Sequence, residues 1–354
     1  MGTGVQTDWG FPDFDAHEGV HLFTDRESGL QAVIAVHSTK LGPAAGGVRF
    51  WHYADPAAAI TDALRLSRGM SFKNAMAGLP MGGGKGVILA DAARTKTPAM
   101  LQAFGRAVES LGGRYVTAED VGISEADLTT IAGVTRYASG LPVKASGGAG
   151  GDPGPFTAMG VYLGVKAAAK RALGTDDMAG VHVAIQGVGS VGGGLARLLA
   201  ADGATLTIAD VNRDRAQALA DELGAATADP DAVLTLDADI VSPNALGAIL
   251  TLRTIDALRC NAVAGGANNQ LATRADGDAI HARGILYAPD YVINAGGIIN
   301  VGLEYLGQGD RAEVEARIRQ IPERLDRVWD ESARDDRPAS EVADDQARRL
   351  IGRG

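Results

Sequence analysis

Three charged side chains stand where chemistry is a better explanation than solvation. Lys85 follows three glycines in "LPMGGGKGVILAD", Lys73 lies in "RGMSFKNAMAG", and Asp120 closes the apolar run of "GRYVTAEDVG". A surface lysine needs no bare neighbours, so the glycine run reads as a loop whose backbone a ligand can approach, with Lys85 presented beside it. It is not a phosphate loop. That motif needs G-x-x-x-x-G-K-[ST] after a strand. Here Leu79 holds the first position, Gly86 follows the lysine, and the strand-like run Val87–Ala90 comes after the glycines. Asp120 has a competing reading as the cap of the "GISEADL" helix, for which Ser124 is the better N-cap.

A second signature lies in "VHVAIQGVGSVGGGLARLLAADGATLTIAD". Val181–Gln186 reads as a strand and Gly187-Val188-Gly189-Ser190-Val191-Gly192 as a turn into a helix. Thr205–Ala209 reads as the next strand, ended by Asp210. G-x-G-x-x-G alone is weak evidence, but here it sits in a βαβ unit with an acid about 20 residues on, the pattern of a dinucleotide site. Bare glycines let the backbone approach a pyrophosphate, and the helix N-terminus offers free N–H groups and a positive dipole end. Asp210 can accept ribose hydroxyls and would repel a 2′-phosphate. NAD is therefore expected over NADP, with Arg213 tempering the preference. A nicotinamide implies hydride transfer.

These groups must be positioned by an α/β chain. Its 354 residues suggest two domains. "LQAVIAVHS" reads as a strand, Asp55-Pro56 as a helix start running through "SFKNAM", and Met100, Leu101, Phe104, Ala107, Val108 and Leu111 as one helical face. The glycine- and proline-rich stretch 144–155 reads as a hinge before the helix "FTAMGVYLGVKAAAKRAL". Three later apolar runs break into small or amide residues. Pro243, Ala245, Gly265, Asn268, Asn269 and Asn294 are thus candidates for the carboxyl ends of parallel strands, where ligands bind; turn positions are the competing reading for the asparagines. Expected are an N-terminal domain over 1–150 carrying the catalytic lysine and a Rossmann domain over 151–332, with a catalytic cleft between them. The last helix, about 333–354, is expected to pack back on the first domain. A net charge of −10 argues against nucleic acid or an anionic membrane as partner. The single cysteine excludes an internal disulfide or a cysteine zinc cluster, and no metal is expected. With neither a signal-peptide pattern at the start nor a long apolar run, a cytosolic location is expected.

Taken together, "LGPAAGGVRFW", "ALRLSRGMSFKNAMAGLPMGGGKGVI", "GRYVTAEDVG", "GDPGPFTAMGVY", "QGVGSVG", "AGGANNQL" and "YAPDYVINAGGIINV" resemble the glutamate/leucine/phenylalanine/valine dehydrogenase family across nearly the whole chain, nearest its leucine and phenylalanine branch. The resemblance implies reversible NAD-dependent oxidative deamination of an L-amino acid to a 2-oxo acid and ammonium, and a homo-oligomer. It implies that Lys85 is the catalytic lysine, that Lys73 binds the substrate carboxylate, and that Asp120 exchanges protons with the amine. It sets Gly46, Gly47, Met70, Ala118, Asn269, Ile298 and Val301 at the substrate, and Asp152 and Thr157 with the cofactor. A second cation nearby and desolvation would both lower the Lys85 pKa, which suits a general base.

Glutamate-specific relatives use a lysine and a serine for the side-chain carboxylate, where this chain matches Ala45 and Val301. With Met70, Ala118 and Ile298 these form an apolar pocket, so glutamate is disfavoured. The wording of the motifs leans to leucine; the small Ala45 leaves room for phenylalanine or another aromatic. The family's "PSP" serine is Gly154 here. Two rivals are a non-catalytic NAD-sensing protein, which would not need Lys73, Lys85 and Asp120 together, and a hydroxy-acid dehydrogenase, which wants a histidine base; His182 and His281 lie outside these motifs.

Overall fold

The double glycine of "AAGGVRF" and the glycine run before Lys85 lie on adjacent strands of one sheet. The computed structural model describes residues 9–91, 95–142, 148–308 and 310–354, and the chain divides into two units. Unit 1 comprises Met1–Gly151, Val301–Asp310 and Ala347–Gly354. Its elements run β1 (Gly19–Asp25), β2 (Leu30–Ser38), β3 (Ala44–His52), α1 (Pro56–Met76), β4 (Gly82–Ala90), α2 (Pro98–Ser110), β5 (Tyr115–Ala118) and α3 (Glu125–Ala132). The sheet order is β1-β2-β4-β3-β5, with β2 antiparallel to both neighbours and β3 parallel to β4 and β5.

Strand periodicity explains how β2 serves two cores. Leu30, Ala32, Ile34 and Val36 pack with Met100, Phe104 and Val108 of α2 and Ile131 of α3. Val33 and Ala35 face the other way, toward Ala59, Ala63 and Leu64 of α1. Helix α1 starts where Asp55 accepts the Ala58 N–H at 2.8 Å, with Pro56 in the first turn, and α3 starts in a Ser124–Asp127 capping box.

The glycines before Lys85 are strand and not loop, which corrects the sequence expectation. Their bare Cα atoms make room for protein. A Cβ on Gly83 would fall 2.0 Å from the Ser71 backbone nitrogen of α1, and one on Gly84 2.6 Å from the Tyr115 ring. Only glycine lets α1 and Tyr115 press this close to β4.

Unit 2 comprises Asp152–Asn300 and Arg311–Gln346. It runs α4 (Gly154–Leu173), β6 (His182–Gln186), α5 (Ser190–Ala201), β7 (Thr205–Ala209), α6 (Arg213–Leu223), β8 (Ala226–Thr227), β9 (Ile240–Pro243), α7 (Leu252–Ala257), β10 (Ala262–Val263), α8 (Arg274–Ala282), β11 (Leu286–Tyr287) and α9 (Asp290–Ile293). Helix α10 (Gly296–Tyr305) is divided between the units, and α11 (Arg311–Ile318), α12 (Ile321–Asp335) and α13 (Ala339–Leu350) follow. The all-parallel order β11-β10-β9-β6-β7-β8 is the doubly wound Rossmann arrangement, and strand order reverses between β6 and β9. No described helix is long and apolar enough to cross a membrane.

The division differs from the expected boundaries in two pieces. Val301–Asp310 joins unit 1, where the Glu304 carboxylate accepts the N–H groups of Gly140 at 2.5 Å and Leu141 at 3.3 Å. Only Ala347–Gly354 of the C-terminal segment belongs to unit 1. There Arg348 pairs with Asp15 at 3.0 Å, and Arg353 reaches the buried His37 at 2.7 Å. The preceding turns of α13 stay with unit 2, where the Tyr291 hydroxyl donates to Asp344 at 2.8 Å. Part of the expected hinge, 144–147, lies outside the described residues; the chain is helical from Gly154.

Because the atom met at Gly83 is backbone, Gly83→Ala is expected to destabilise unit 1 by about 3 kcal/mol, the upper end for overpacking. A urea midpoint equal to wild type would show that α1 yields freely.

Candidate active site

The pairs Ala45–Gly83 and Val48–Gly86 set the register of β3 on β4, so Gly46-Gly47 run beside Gly84-Lys85. On the other side Gly46 and Gly47 pair with Thr117 and Ala118 of β5. The Tyr115 hydroxyl donates to the Gly46 carbonyl at 2.7 Å. A Cβ on Gly46 would meet the Gly84 carbonyl at 1.9 Å and Met70 Cγ at 3.0 Å; one on Gly47 would meet Asp120 Cβ at 2.9 Å. The double glycine thus brings Met70 of α1 and Asp120, just past β5, against β3.

Lys85, only 5% exposed, forms an ion pair through Nζ with Asp120 Oδ2. Arg49 Nε donates to the same oxygen at 3.0 Å, and Arg49 NH1 reaches Asp62 Oδ2 at 2.9 Å. Asp62, on the buried face of α1, also accepts the Tyr53 hydroxyl at 2.6 Å and Arg65 at 2.8 Å. Burial pushes the Lys85 ammonium pKa down; the Asp120 charge opposes that fall and Arg49 adds to it. Burial also works against ionised Asp120, but Lys85 and Arg49 outweigh it and hold the carboxyl below its usual range. The cation against this pair is Arg49, on the strand beside Lys85.

Lys85, Asp120, Gly46, Gly47, Met70 and Ala118 are therefore brought together on the β3–β4–β5 side of unit 1. Lys73 lies in the last turn of α1, half-buried. Ala45 is buried, and Val301 is buried within unit 1, its Cγ1 3.5 Å from where a Gly140 Cβ would stand. Ile298 is half-buried on α10, and Asn269 is exposed at φ 52°; both belong to unit 2.

In unit 2, Gly187 turns out of β6 at φ 85°, and a Cβ on Gly192 would fall 1.9 Å from the Gly187 carbonyl. Gly189 faces open space and stands at the head of α5 with no side-chain cap, leaving the first N–H groups of that helix for a ligand. Buried Val188, exposed Ser190 and half-buried Val191 complete the turn. Asp210 Oδ2 accepts the Val188 N–H at 2.8 Å, and Oδ1 accepts Asn212 N–H at 2.8 Å and Arg215 at 2.7 Å. Burial opposes its ionisation, yet the two backbone N–H groups and Arg215 keep its pKa low. The arginine at this acid is Arg215; Arg213 pairs instead with Asp229 at 2.9 Å.

The carboxyl ends of the central strands meet as the switch point requires. A Gly187 Cβ would lie 2.8 Å from Ala245 Cβ, and one on Gly265 2.2 Å from the Pro243 carbonyl. Asn294 Nδ2 donates to Asn268 at 2.8 Å and to the Gly266 carbonyl at 3.1 Å, while its buried Oδ1 has no partner among the described residues. Asp152 accepts the Gly154 N–H at 2.8 Å, and Thr157 donates to the Pro153 carbonyl at 2.9 Å. A Cβ on Gly154 would fall 2.0 Å from Ser190 Oγ, so the Ser190 hydroxyl already fills that space. An open glycine at an uncapped helix head, a seated acid and an unpaired amide oxygen fit a dinucleotide. Among the described residues no cluster of histidine, cysteine and acidic groups is placed to hold a metal ion.

Sequence reading passed over Arg49, Asp62 and Arg215. The available signal was a charge inside the strand "GGVRFW" and an aspartate among the buried alanines of α1.

A Rossmann sheet, and a buried lysine paired with a half-buried carboxylate in the same chain, fit an NAD(P)-dependent dehydrogenase. Residues 17–137 match the model of the Glu/Leu/Phe/Val dehydrogenase dimerisation domain, and residues 207–345 that of Glutamate/Leucine/Phenylalanine/Valine dehydrogenase. The chain is 47% identical over 337 residues to leucine dehydrogenase of Bacillus subtilis, covering 95% of this chain and 92% of that one. It is 48% identical over 308 residues to valine dehydrogenase of Streptomyces albus, covering 86% and 84%. The crystal structure of L-tryptophan dehydrogenase from Nostoc punctiforme superposes with a TM-score of 0.84 at 38% identity, covering 95% of this chain and 96% of that one. The chain belongs to the glutamate/leucine/phenylalanine/valine dehydrogenase family and is an amino acid dehydrogenase.

Replacing Asp120 by Asn strips a buried ammonium of its counter-charge. Asp120→Asn is expected to destabilise unit 1 by about 3–5 kcal/mol while dinucleotide binding persists. The checks are urea unfolding and the fluorescence of bound dinucleotide; an unchanged unfolding midpoint would contradict the pairing.

Proposed function

We propose that the protein catalyses reversible, NAD-dependent oxidative deamination of branched-chain L-amino acids, leucine foremost, to 2-oxo acids and ammonium. The observation that carries this reading is the pairing of buried Lys85 with half-buried Asp120 against the Gly46-Gly47 strand and Met70. Lys73 holds the substrate α-carboxylate. A bound NAD would supply the hydride acceptor for the substrate Cα, whose oxidation gives an imine. Neutral Lys85 takes a proton from water as that water attacks the imine carbon. Asp120, which takes a proton from the substrate ammonium before Cα is oxidised, returns it to the departing amine; the carbonyl forms as the C–N bond breaks, and the hydroxyl proton leaves with ammonia as ammonium. The lowered Lys85 pKa makes the neutral base available below the ordinary lysine range.

Asp210 supports NAD over NADP, because its carboxylate would repel a 2′-phosphate; Arg215 moderates that preference. We assign Asp152, Thr157, the Gly187–Gly192 turn, Pro243, Ala245, Gly265 and Asn294 to the cofactor, and Asn269 to the substrate. Ala45, Met70, Ala118, Ile298 and Val301 are all apolar, so a glutamate carboxylate would lose its water without a partner. The small Ala45 supports a second reading, aromatic substrates, which the likeness to a tryptophan dehydrogenase also favours. We further place a homo-oligomer in the cytosol: the N-terminal match is to a dimerisation domain, and a single cysteine suits a reducing compartment.

NADH formation from leucine, valine, phenylalanine, tryptophan and glutamate tests the reading. Leucine and valine are expected to exceed glutamate by about 100-fold in kcat/KM, roughly 2.7 kcal/mol, and NAD to exceed NADP by at least about tenfold. Glutamate as best substrate would overturn the pocket assignment, and a lead for phenylalanine or tryptophan would select the second reading. Lys85→Ala should abolish turnover with dinucleotide binding intact; near-normal kcat would remove the lysine from the mechanism.

A further inference from the structure

A lysine paired with a single buried carboxylate makes a poor base. The pair is stable only while both charges are present, since loss of the lysine proton strands an anion in the sheet. Here the anion has a second holder. Arg49 Nε and Lys85 Nζ converge on the same oxygen, Oδ2 of Asp120, from adjacent strands. The guanidinium is fixed from behind: Arg49 NH1 donates to Asp62 Oδ2, which also accepts from Tyr53, while Asp62 Oδ1 accepts from Arg65.

We propose that Arg49 is a positioning residue for the proton-transfer pair, holding Asp120 in place and ionised in both protonation states of Lys85, and so allowing Lys85 to lose its proton. This rests on the deamination reading above. The charges support it. Lys85 faces from β4, Arg49 from β3, Tyr115 from β5, and Asp62 and Arg65 from α1. With Lys85 neutral, two guanidiniums balance two carboxylates. With Lys85 protonated these five hydrogen-bonded groups carry one cation in excess, which favours the neutral base. Without Arg49, deprotonation of Lys85 leaves Asp120 unmatched, and the ammonium is retained to higher pH. Burial and Arg49 both push the Lys85 pKa down, whereas Asp120 and Asp62 push it up. A guanidinium suits the task because it stays charged at every working pH and its fork spans two carboxylates.

The test is the pH dependence of kcat for leucine oxidation at saturating leucine and NAD. Arg49→Gln is expected to move the acidic limb to higher pH by about one unit or more, with activity recovering above the limb. Arg49→Lys keeps the charge and should leave the limb near its wild-type position at a lower plateau. Asp62→Asn removes an anion that favours the ammonium and should move the limb to lower pH. Opposite displacements from two neighbouring changes are a charge signature that a packing defect does not produce. Should Arg49→Gln fail to fold, Arg49→Met keeps the aliphatic stem without the charge and is expected to move the limb in the same direction. Limbs unmoved in Asp62→Asn and Arg49→Gln, with kcat merely lowered at all pH, would overturn the proposal while leaving the functional reading intact. A wild-type enzyme without NAD-dependent deamination would instead sink that reading, and this inference with it.

Discussion

Everything in unit 1 follows from keeping one lysine almost dry in the middle of a sheet. Burial alone would neutralise Lys85, and the Asp120 charge alone would lock it as an ammonium. The observed balance lies between, and it needs groups held within hydrogen-bond reach on β3, on β4 and just past β5. Proximity of that kind is a backbone problem before it is a side-chain problem. Lys85, Arg49 and Asp120 meet because β3, β4 and β5 run parallel in fixed register, and because no Cβ stands between them at Gly46 or Gly47.

The two units use glycine for different ends. In β4 the missing side chains are replaced by protein: Ser71 against Gly83, Tyr115 against Gly84 and Phe104 against Gly86. Rigidity is the result, since each glycine lets a large neighbour close over the strand. At the head of α5, Gly192 is crowded by the Gly187 carbonyl, but Gly189 faces open space. One glycine there shapes the turn, and the other leaves the head of the helix clear.

The Rossmann half was the more legible in sequence, because its signals are local. Strand, glycine turn, helix, strand and acid follow one another within about 30 residues, so spacing alone defines the unit. Unit 1 was harder for physical reasons. Strand β3 begins with two alanines and two glycines, which have little strand propensity and are strands only because β4 and β5 flank them. The glycines of β4 read as loop for the same reason. Arg49 escaped notice because its partners, Asp62 and Asp120, stand 13 and 71 residues away, and nothing local announces a pairing that the sheet creates. Arg215 was missed in favour of Arg213 because nearness in sequence to Asp210 is not nearness on the first turns of α6.

Unit 1 is discontinuous in the chain, and this sets an order of events during synthesis. Its sheet, with Lys85 and Asp120 beside it, is translated before any of unit 2. The groups that finish its polar interior come much later: Glu304 for the N–H groups of Gly140 and Leu141, Arg348 for Asp15, and Arg353 for His37. His37 is completely buried, and Ser71, which bonds its Nδ1, sits on α1 three residues before Asn74, whose amide secures the Gly82 carbonyl. A nascent chain can thus form the Rossmann strands while the lysine-bearing unit still lacks its last polar partners. Translation order thus delays the polar completion of unit 1 until Glu304, Arg348 and Arg353, far downstream of its sheet, have been made.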